Sequence, residues 1–362
     1  MPTKRPLYDD APVLNPDDDA LGYAPFAKMV AATIRSQSAT RGFVFAIHGA
    51  WGSGKTTALN FVQHDMTDDG EEITVVKFNP WWFSGQEELT HAFFEELAIA
   101  VGAISQETEK AIRKYARRLS GVTSALKYGL KLLPGANHFS DELMNAIGEI
   151  LKTTGEAVDA PEPVTKVKDE IGSTLVSKGA RVLVIIDDID RLTADEQLQI
   201  FKLVKSVADL PNVIYLLAFD ADLATGALRA RAEYEAQTNF LEKIIQAPFD
   251  LPTPSRHSLE DWFVNELNAV IGDRTPTDER RWHDMHRHIV APRLTTPRAV
   301  VKLLNTIRAG WEDIADDVDL TDYIALQTIR LFDKDIYNAI RRHHLWLIGT
   351  PALYEGKGEE VT

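Results

Sequence analysis

The chain contains no cysteine. Disulfides and cysteine-ligated zinc sites are thereby excluded, and a reducing compartment is allowed. Long apolar runs are missing too: nothing approaches the roughly 18 uninterrupted apolar residues that a membrane-spanning helix needs. The opening Met1–Asp10 stretch has basic residues with no apolar run behind them, so it does not read as a secretory signal. Positive charge is scarce, 39 Lys and Arg against 54 Asp and Glu, for a net charge of −15. Such a balance argues against broad nucleic-acid binding and leaves room only for a local basic patch. No internal repeat is found. A soluble, cytoplasmic protein is the expectation. The 362 residues, 44% of them apolar, suffice for one large domain with a substantial core and a smaller second one.

One stretch organises the rest: Gly49, Ala50, Trp51, Gly52, Ser53, Gly54, Lys55 and Thr56, spaced G-x-x-x-x-G-K-T. The apolar run Phe43–Ile47 before it reads as a buried strand, and Ala58, Leu59, Phe61 and Val62 after it begin a helical pattern. That strand–loop–helix context is what a phosphate-binding loop requires. Its glycines let backbone N–H groups turn toward phosphate oxygens, and the helix N-terminus adds a positive dipole end. Lys55 is the side chain to reach the β- and γ-phosphates, and the Thr56 hydroxyl is a Mg²⁺ ligand. Thr57 continues the nucleotide-binding set.

Residues 1–19 read as an irregular lead-in that ends on Asp19, a candidate cap for a helix starting near Ala20. Leu21, Phe26, Met29, Val30 and Ile34 make a plausible apolar face. Leu21, Gly22 and Tyr23 are candidates for contacts to a nucleotide base, against the blander reading of a helix packed on the sheet. Ile73–Phe78 reads as a second core strand. The aromatic cluster that follows, Pro80–Gly85, reads better as packing under a loop than as a binding patch. A helix is expected from Glu87 to Gly102, with Leu89, Phe93, Leu97 and Val101 on one face.

Residues 105–178 have a different texture, with Lys110, Arg113, Lys114, Arg117, Arg118, Lys127 and Lys131 interleaved with apolar residues at helical spacing. A basic amphipathic helix can dock on a partner or a membrane surface, but an ordinary core-covering helix is the preferred reading. Another helix is expected over Leu143–Leu151 and a loop over Asp159–Pro163. The block reads as an insertion between two core strands.

Val182–Ile186 reads as a central parallel strand buried on both faces, and Asp187, Asp188, Ile189, Asp190 and Arg191 follow it. Carboxylates at the C-terminal end of such a strand stand where open α/β sheets bind ligands. Asp187 fits the Mg²⁺-holding position and Asp188 the base that polarises an attacking water. Adjacent strand residues point to opposite faces, so a twist at the strand end must bring both to bear. Arg191 pairs with Asp190 on the simplest reading and serves a neighbouring subunit's nucleotide on the other. Asn212–Phe219 is the next buried strand, and Asp220 at its end is a candidate γ-phosphate sensor. Ala247–Pro252 reads as a short fifth strand with prolines at its margins. Five strands separated by helical material predict a parallel sheet with helices on both faces.

Beyond Pro252 the pattern is helical. Leu259, Trp262, Phe263 and Leu267 mark one helix, and Trp282–His288 is His-rich without a clean zinc-binding spacing. Pro297 suits a helix start, and Arg298 in that first turn is either a phosphate sensor or a surface cation. Helices over Leu320–Leu331 and Ile336–Ile348 complete the reading, and the tail from Gly349 reads as disordered. The expected division is a lead-in over 1–42, a core over 43–252, a helical domain over 253–348 and a tail over 349–362.

Together, the G-A-W-G-S-G-K-T loop, Phe78-Asn79-Pro80-Trp81, Ile186–Arg191 and Phe240–Ile245 resemble the KAP family of P-loop NTPases. Leu21-Gly22-Tyr23 and Thr296-Pro297-Arg298 also look like family positions. The resemblance covers about residues 10–310. It implies a five-stranded core in the order 5-1-4-3-2, ATP with Mg²⁺ as ligand, a C-terminal helical lid, and a regulatory or scaffold ATPase. Many members carry transmembrane helices between the loop and the acidic strand. This chain departs there, because its insertion is soluble in composition. Bacterial relatives often lie in mobile or phage-defence loci, which suggests defence.

Two functions follow. One is an ATP hydrolase whose turnover drives a change passed to an unidentified protein partner, with Lys55, Thr56, Asp187 and Asp188 carrying the chemistry and homo-oligomerisation left open. The other is a slow-turnover, ATP-gated switch or scaffold that docks on a partner or is peripheral to a membrane surface. A small-molecule kinase is the weaker third reading. No Asn-Lys-x-Asp guanine-reading motif is present, so the resemblance favours ATP over GTP.

Overall fold

The computed structural model describes residues 7–9, 11–37, 42–68, 73–83, 85–114, 164–207, 210–229 and 241–348. The chain divides into two compact units, Pro12–Pro252 and a second made of Met1–Ala11 with Thr253–Thr362.

The first unit is built on a sheet of five strands: β1 (Phe43–His48), β2 (Ile73–Phe78), β3 (Arg181–Ile186), β4 (Val213–Phe219) and β5 (Ala247–Asp250). Neighbours run β2-β3-β4-β1-β5, all parallel, which is the expected order read from the other edge. The central strands β1, β3 and β4 alternate between two apolar layers, as a period of two demands. In β4 every residue is buried. Val213, Tyr215, Leu217 and Phe219 join one layer with Phe93, Phe94 and Leu97, while Ile214, Leu216 and Ala218 join the other with Phe61, Val62 and Ile34. A strand covered on both sides by helices needs no polar face, hence the unbroken V-I-Y-L-L-A-F run.

The helices follow their apolar stripes. In α1 (Ala24–Ser36) the buried residues are Ala27, Val30, Ala31 and Ile34. Met29 lies about 100° round the helix from Val30, off that stripe, and is 45% exposed rather than on the apolar face expected of it. The helix starts four residues later than Ala20, because the Asp19 carboxylate first holds a turn, accepting the N–H groups of Leu21, Gly22 and Ala24. After β1 comes α2 (Lys55–Asp68), and after β2 comes α3 (Gln86–Gly102) with Leu89, Phe93, Leu97 and Val101 buried. The sequence then passes through α4 (Val164–Ser177), β3 and α5 (Ala194–Lys202). Thr193 and Glu196 cap α5 reciprocally. Next come β4 and α6 (Ala221–Arg229).

Several expectations lie outside the described residues: the basic run from Arg117 to Lys131, the Leu143–Leu151 helix, the Asp159–Pro163 loop, Phe240 and the tail from Gly349.

The second unit is helical: α7 (Arg256–Ile271), α8 (Glu279–Met285), α9 (Pro297–Ile314), α10 (Leu320–Phe332), α11 (Lys334–Arg342) and a short turn at His344–Leu347. Residues near the N-terminus belong to it. The backbone N–H of Tyr8 donates to Asn305 Oδ1 at 2.7 Å, and Asn305 Nδ2 returns a bond to the Tyr8 carbonyl at 2.9 Å. The lead-in is therefore divided, with Tyr8 in the helical unit and Val13 onward in the sheet unit.

Candidate nucleotide site

The loop between β1 and α2 is held by backbone bonds, one across the sheet and one within the loop. Gly49 N–H donates to the Phe219 carbonyl at 3.3 Å, and Ser53 N–H to Ala50 at 3.1 Å. Gly52 and Gly54 have φ of +77° and +94°, a left-handed region that favours glycine. At Gly54 a Cβ would also lie 2.9 Å from the Tyr23 ring. Tyr23 is 2% exposed, and its hydroxyl donates to the Ser53 carbonyl at 2.6 Å. Burial first, then the nearby Asp19 charge, push its phenol pKa up, so it stays a donor. Tyr23 thus supports the loop from beneath. It does not offer the free ring face expected of a base contact. Leu21 is half-buried, and Gly22, with φ +80°, has open space at its α-carbon.

Lys55 uses all three of its ammonium protons. They go to the Gly49 carbonyl at 2.8 Å, the Ala50 carbonyl at 3.3 Å and Asp190 Oδ2 at 2.9 Å. Thr56 Oγ1 donates to Asp187 Oδ2 at 2.7 Å, a contact between residues 131 positions apart. Burial pushes the Asp187 carboxyl above the ordinary carboxylate range, against the Thr56 bond, the Asp188 N–H and Lys55, which pull it down. Thr57 faces the other way, with its hydroxyl accepting the Val13 N–H at 3.2 Å, so it anchors the lead-in.

The two adjacent acids come together because β3 stops at Ile186. Both stand in the following turn, where Asp188 takes the left-handed conformation, φ 58° and ψ 24°. Its carboxylate is held on both oxygens. Asn79 Nδ2 donates to Oδ2 at 2.9 Å, and Arg191 Nε pairs with Oδ1 at 2.7 Å. Arg191 therefore pairs with Asp188, not with Asp190 as expected. Its guanidinium also sits over the rings of Trp51 and Trp81, 5.6 and 5.2 Å from their centroids.

The aromatic cluster after β2 is split. Phe83 stacks on Phe78 at 5.8 Å, as packing requires. Trp81 and Trp82 are 53% and 76% exposed, contrary to the packing expected of them. The cause is local. Asn79 Oδ1 accepts the Trp81 N–H at 3.0 Å and folds Pro80–Trp82 into a tight turn that swings both indoles outward. Nothing in the local sequence around Asn79 reveals Asp188 as its partner.

Asp220 caps α6, its Oδ1 accepting the N–H groups of Asp222 and Leu223, both at 3.1 Å. Its own N–H donates to Asp190 Oδ1 at 2.6 Å. Arg298 lies in the first turn of α9, behind Thr296, whose hydroxyl accepts the Ala299 N–H at 3.2 Å. In the His-rich stretch, the Nδ1 atoms of His283 and His288 bond back to the carbonyls of Glu279 and Asp284.

The loop fits a phosphate and Mg²⁺. A Cβ at Gly49 would crowd Ser53 Oγ at 2.7 Å and the Lys55 side chain at 3.3 Å, so glycine there keeps the cradle open. Ser53 Oγ is buried without a hydrogen-bond partner. Thr56 and Asp187 present two hard oxygens side by side. Among the described residues no group of three or more His, Asp or Glu could hold a metal. Mg²⁺ needs no such cage, since it keeps water and phosphate oxygens in its shell. Among the described residues no helix is long and apolar enough to cross a membrane.

Residues 23–310 match the KAP family P-loop domain. The chain is 28% identical over 355 residues to the Phage T7 exclusion protein of Escherichia coli strain K12. That match covers 91% of this chain and 47% of the relative, so the chain spans about half the length of the curated relative it matches. Among solved structures, the Aeropyrum pernix ORC2 protein in its ADPNP–ADP complexes is 14% identical, with a TM-score of 0.39 over 85% of this chain and 66% of that one. Cdc6p from Pyrobaculum aerophilum is 11% identical, with a TM-score of 0.44 over 85% and 67%.

Proposed function

This chain belongs to the KAP family of P-loop domains, and on that premise we propose that it binds and hydrolyses ATP with Mg²⁺ and passes its nucleotide state to a protein partner in the exclusion of phage. The observation that carries this is the meeting of Thr56 with Asp187 at 2.7 Å, with Lys55 and Asp188 in the flanking positions. The relative's name supports the exclusion role.

Each residue has a physical task. Lys55 turns its ammonium from its internal acceptors toward phosphate oxygens. The backbone amides of Gly52–Lys55 donate to the same oxygens, at the positive end of α2. Thr56 and Asp187 hold Mg²⁺, which when bound supplies neutralising charge to the phosphates. Asp188 accepts a proton from, or orients, the attacking water. Catalysis is then positioning and electrostatics in a preorganised site.

A slow, gated switch is the second reading, and one observation favours it. Both Asp188 oxygens and all three Lys55 protons are engaged within the protein. Such a site turns over quickly only after those bonds open. Steady-state hydrolysis by wild type and Asp188→Asn, alongside equilibrium nucleotide binding, tests the proposal. Turnover lost in the variant with binding kept supports hydrolysis. Binding with negligible turnover in both proteins supports the switch, and no binding in either overturns both.

A further inference from the structure

Asp190 is the third acid of the turn after β3, and its side chain is only 3% exposed. Burying a carboxylate is costly unless it is paired and hydrogen-bonded. Here it has two partners. Oδ2 meets Lys55 Nζ at 2.9 Å, and Oδ1 accepts the Asp220 N–H at 2.6 Å. Lys55 is itself 9% exposed and has no proton left over. A phosphate that enters the loop must therefore displace one of its three acceptors. Two are backbone carbonyls of the loop and the third is charged. Every Lys55 bond is charge-assisted through the ammonium, but only Asp190 adds a full opposite charge, so Asp190 is the strongest internal rival to phosphate for Lys55.

We propose that Asp190 is a positioning residue that holds Lys55 in the loop and sets nucleotide affinity by competing with phosphate for its ammonium. The inference rests on the nucleotide reading of the site. It assigns Asp190 a role separate from Asp187 and Asp188, since Asp190 is the acid that meets Lys55 while Asp187 meets Thr56. Its second bond joins the same carboxylate to Asp220, which caps α6. The ion pair thereby links the loop to the turn after β4.

The test is a mutant cycle read as nucleotide affinity. Asp190→Asn keeps the shape and one oxygen for the Asp220 N–H while removing the charge. Lys55→Met removes the ammonium. Binding of Mg-ADP and Mg-ATP is measured for wild type, both single variants and the double variant, with thermal unfolding as the check on folding. Asp190→Asn is expected to tighten both nucleotides about tenfold, a difference of ~1.4 kcal/mol, and the gain is expected to vanish in the Lys55→Met background. A purely structural role would lower the melting temperature and leave the affinity ratio unchanged. Unchanged or weaker binding by a folded Asp190→Asn protein, or a gain that persists without Lys55, overturns the inference and leaves the nucleotide reading standing. Absence of binding by wild type and Asp190→Asn alike overturns both. Binding by Asp190→Asn alone supports the competition in its strongest form.

Discussion

Asn79 at the end of β2 donates its side-chain amide to Asp188 at the end of β3, 2.9 Å away and 109 residues on. The other carboxylate oxygen is taken by Arg191. Both partners withdraw electron density from the group proposed to polarise water. Asn79→Ala is therefore expected to raise basal turnover by about tenfold or more, the scale of one hydrogen bond to a charged group, with nucleotide affinity unchanged. Steady-state kinetics decides it, and a fall in turnover would make Asn79 an orienting group instead.

Asp188→Asn should lower kcat by at least about 100-fold, the usual loss when a general base is removed, while the dissociation constant moves little. Asparagine tolerates the left-handed backbone found there, φ 58°. The melting temperature should thus hold within a degree or two, and this separates lost chemistry from lost folding.

Asp187 gives a pH-dependent prediction. Its pKa is raised mainly by burial, so the folded state holds a proton that the unfolded chain releases. Between the ordinary carboxylate pKa and the raised one, stability falls as pH rises, and the full loss is present above the raised value. Asp187→Asn carries no such charge. The variant should melt a few degrees above wild type at neutral pH, and the gap should close toward acid. A gap that widens on acidification would refute the burial argument. Mg²⁺ with nucleotide should stabilise wild type at neutral pH and not the variant.

Gly54→Ala combines an unfavourable φ of +94° with a Cβ 2.9 Å from the Tyr23 ring. A loss of about 1–3 kcal/mol is expected. Tyr23→Phe removes only the bond to the Ser53 carbonyl and should cost about 1 kcal/mol. Denaturant titration of the two variants ranks them, and the reverse order would show that the hydroxyl matters more than the glycine.

What could be read from the sequence was what depends on neighbours along the chain. The loop spacing, the strand before it and the unbroken apolar run of β4 each declare themselves within about ten residues. The capping of α9 by Thr296 and Pro297 is equally local. Partnerships across the sheet were not readable. Asp190 sits beside Arg191 in sequence and beside Lys55 in space, because the turn after β3 and the loop after β1 lie at the same end of the parallel sheet, with β4 between them. Arg191 turned to Asp188 because the strand ended at Ile186 and the left-handed residue redirected the chain. Trp81 and Trp82 defied the usual burial of indoles because a single Asn side chain set their turn.

The strand order has a consequence for how the protein comes into being during synthesis. β4 lies between β1 and β3, yet it is made after both. The phosphate loop and the acidic turn leave the ribosome first, with no strand between them to set their spacing. Thr56 and Asp187 can meet only when Val213–Phe219 has threaded into the gap. Such a late, long-range pairing is slow. A nascent chain halted before residue 213 would contain both the phosphate loop and the acidic turn and still lack the site itself.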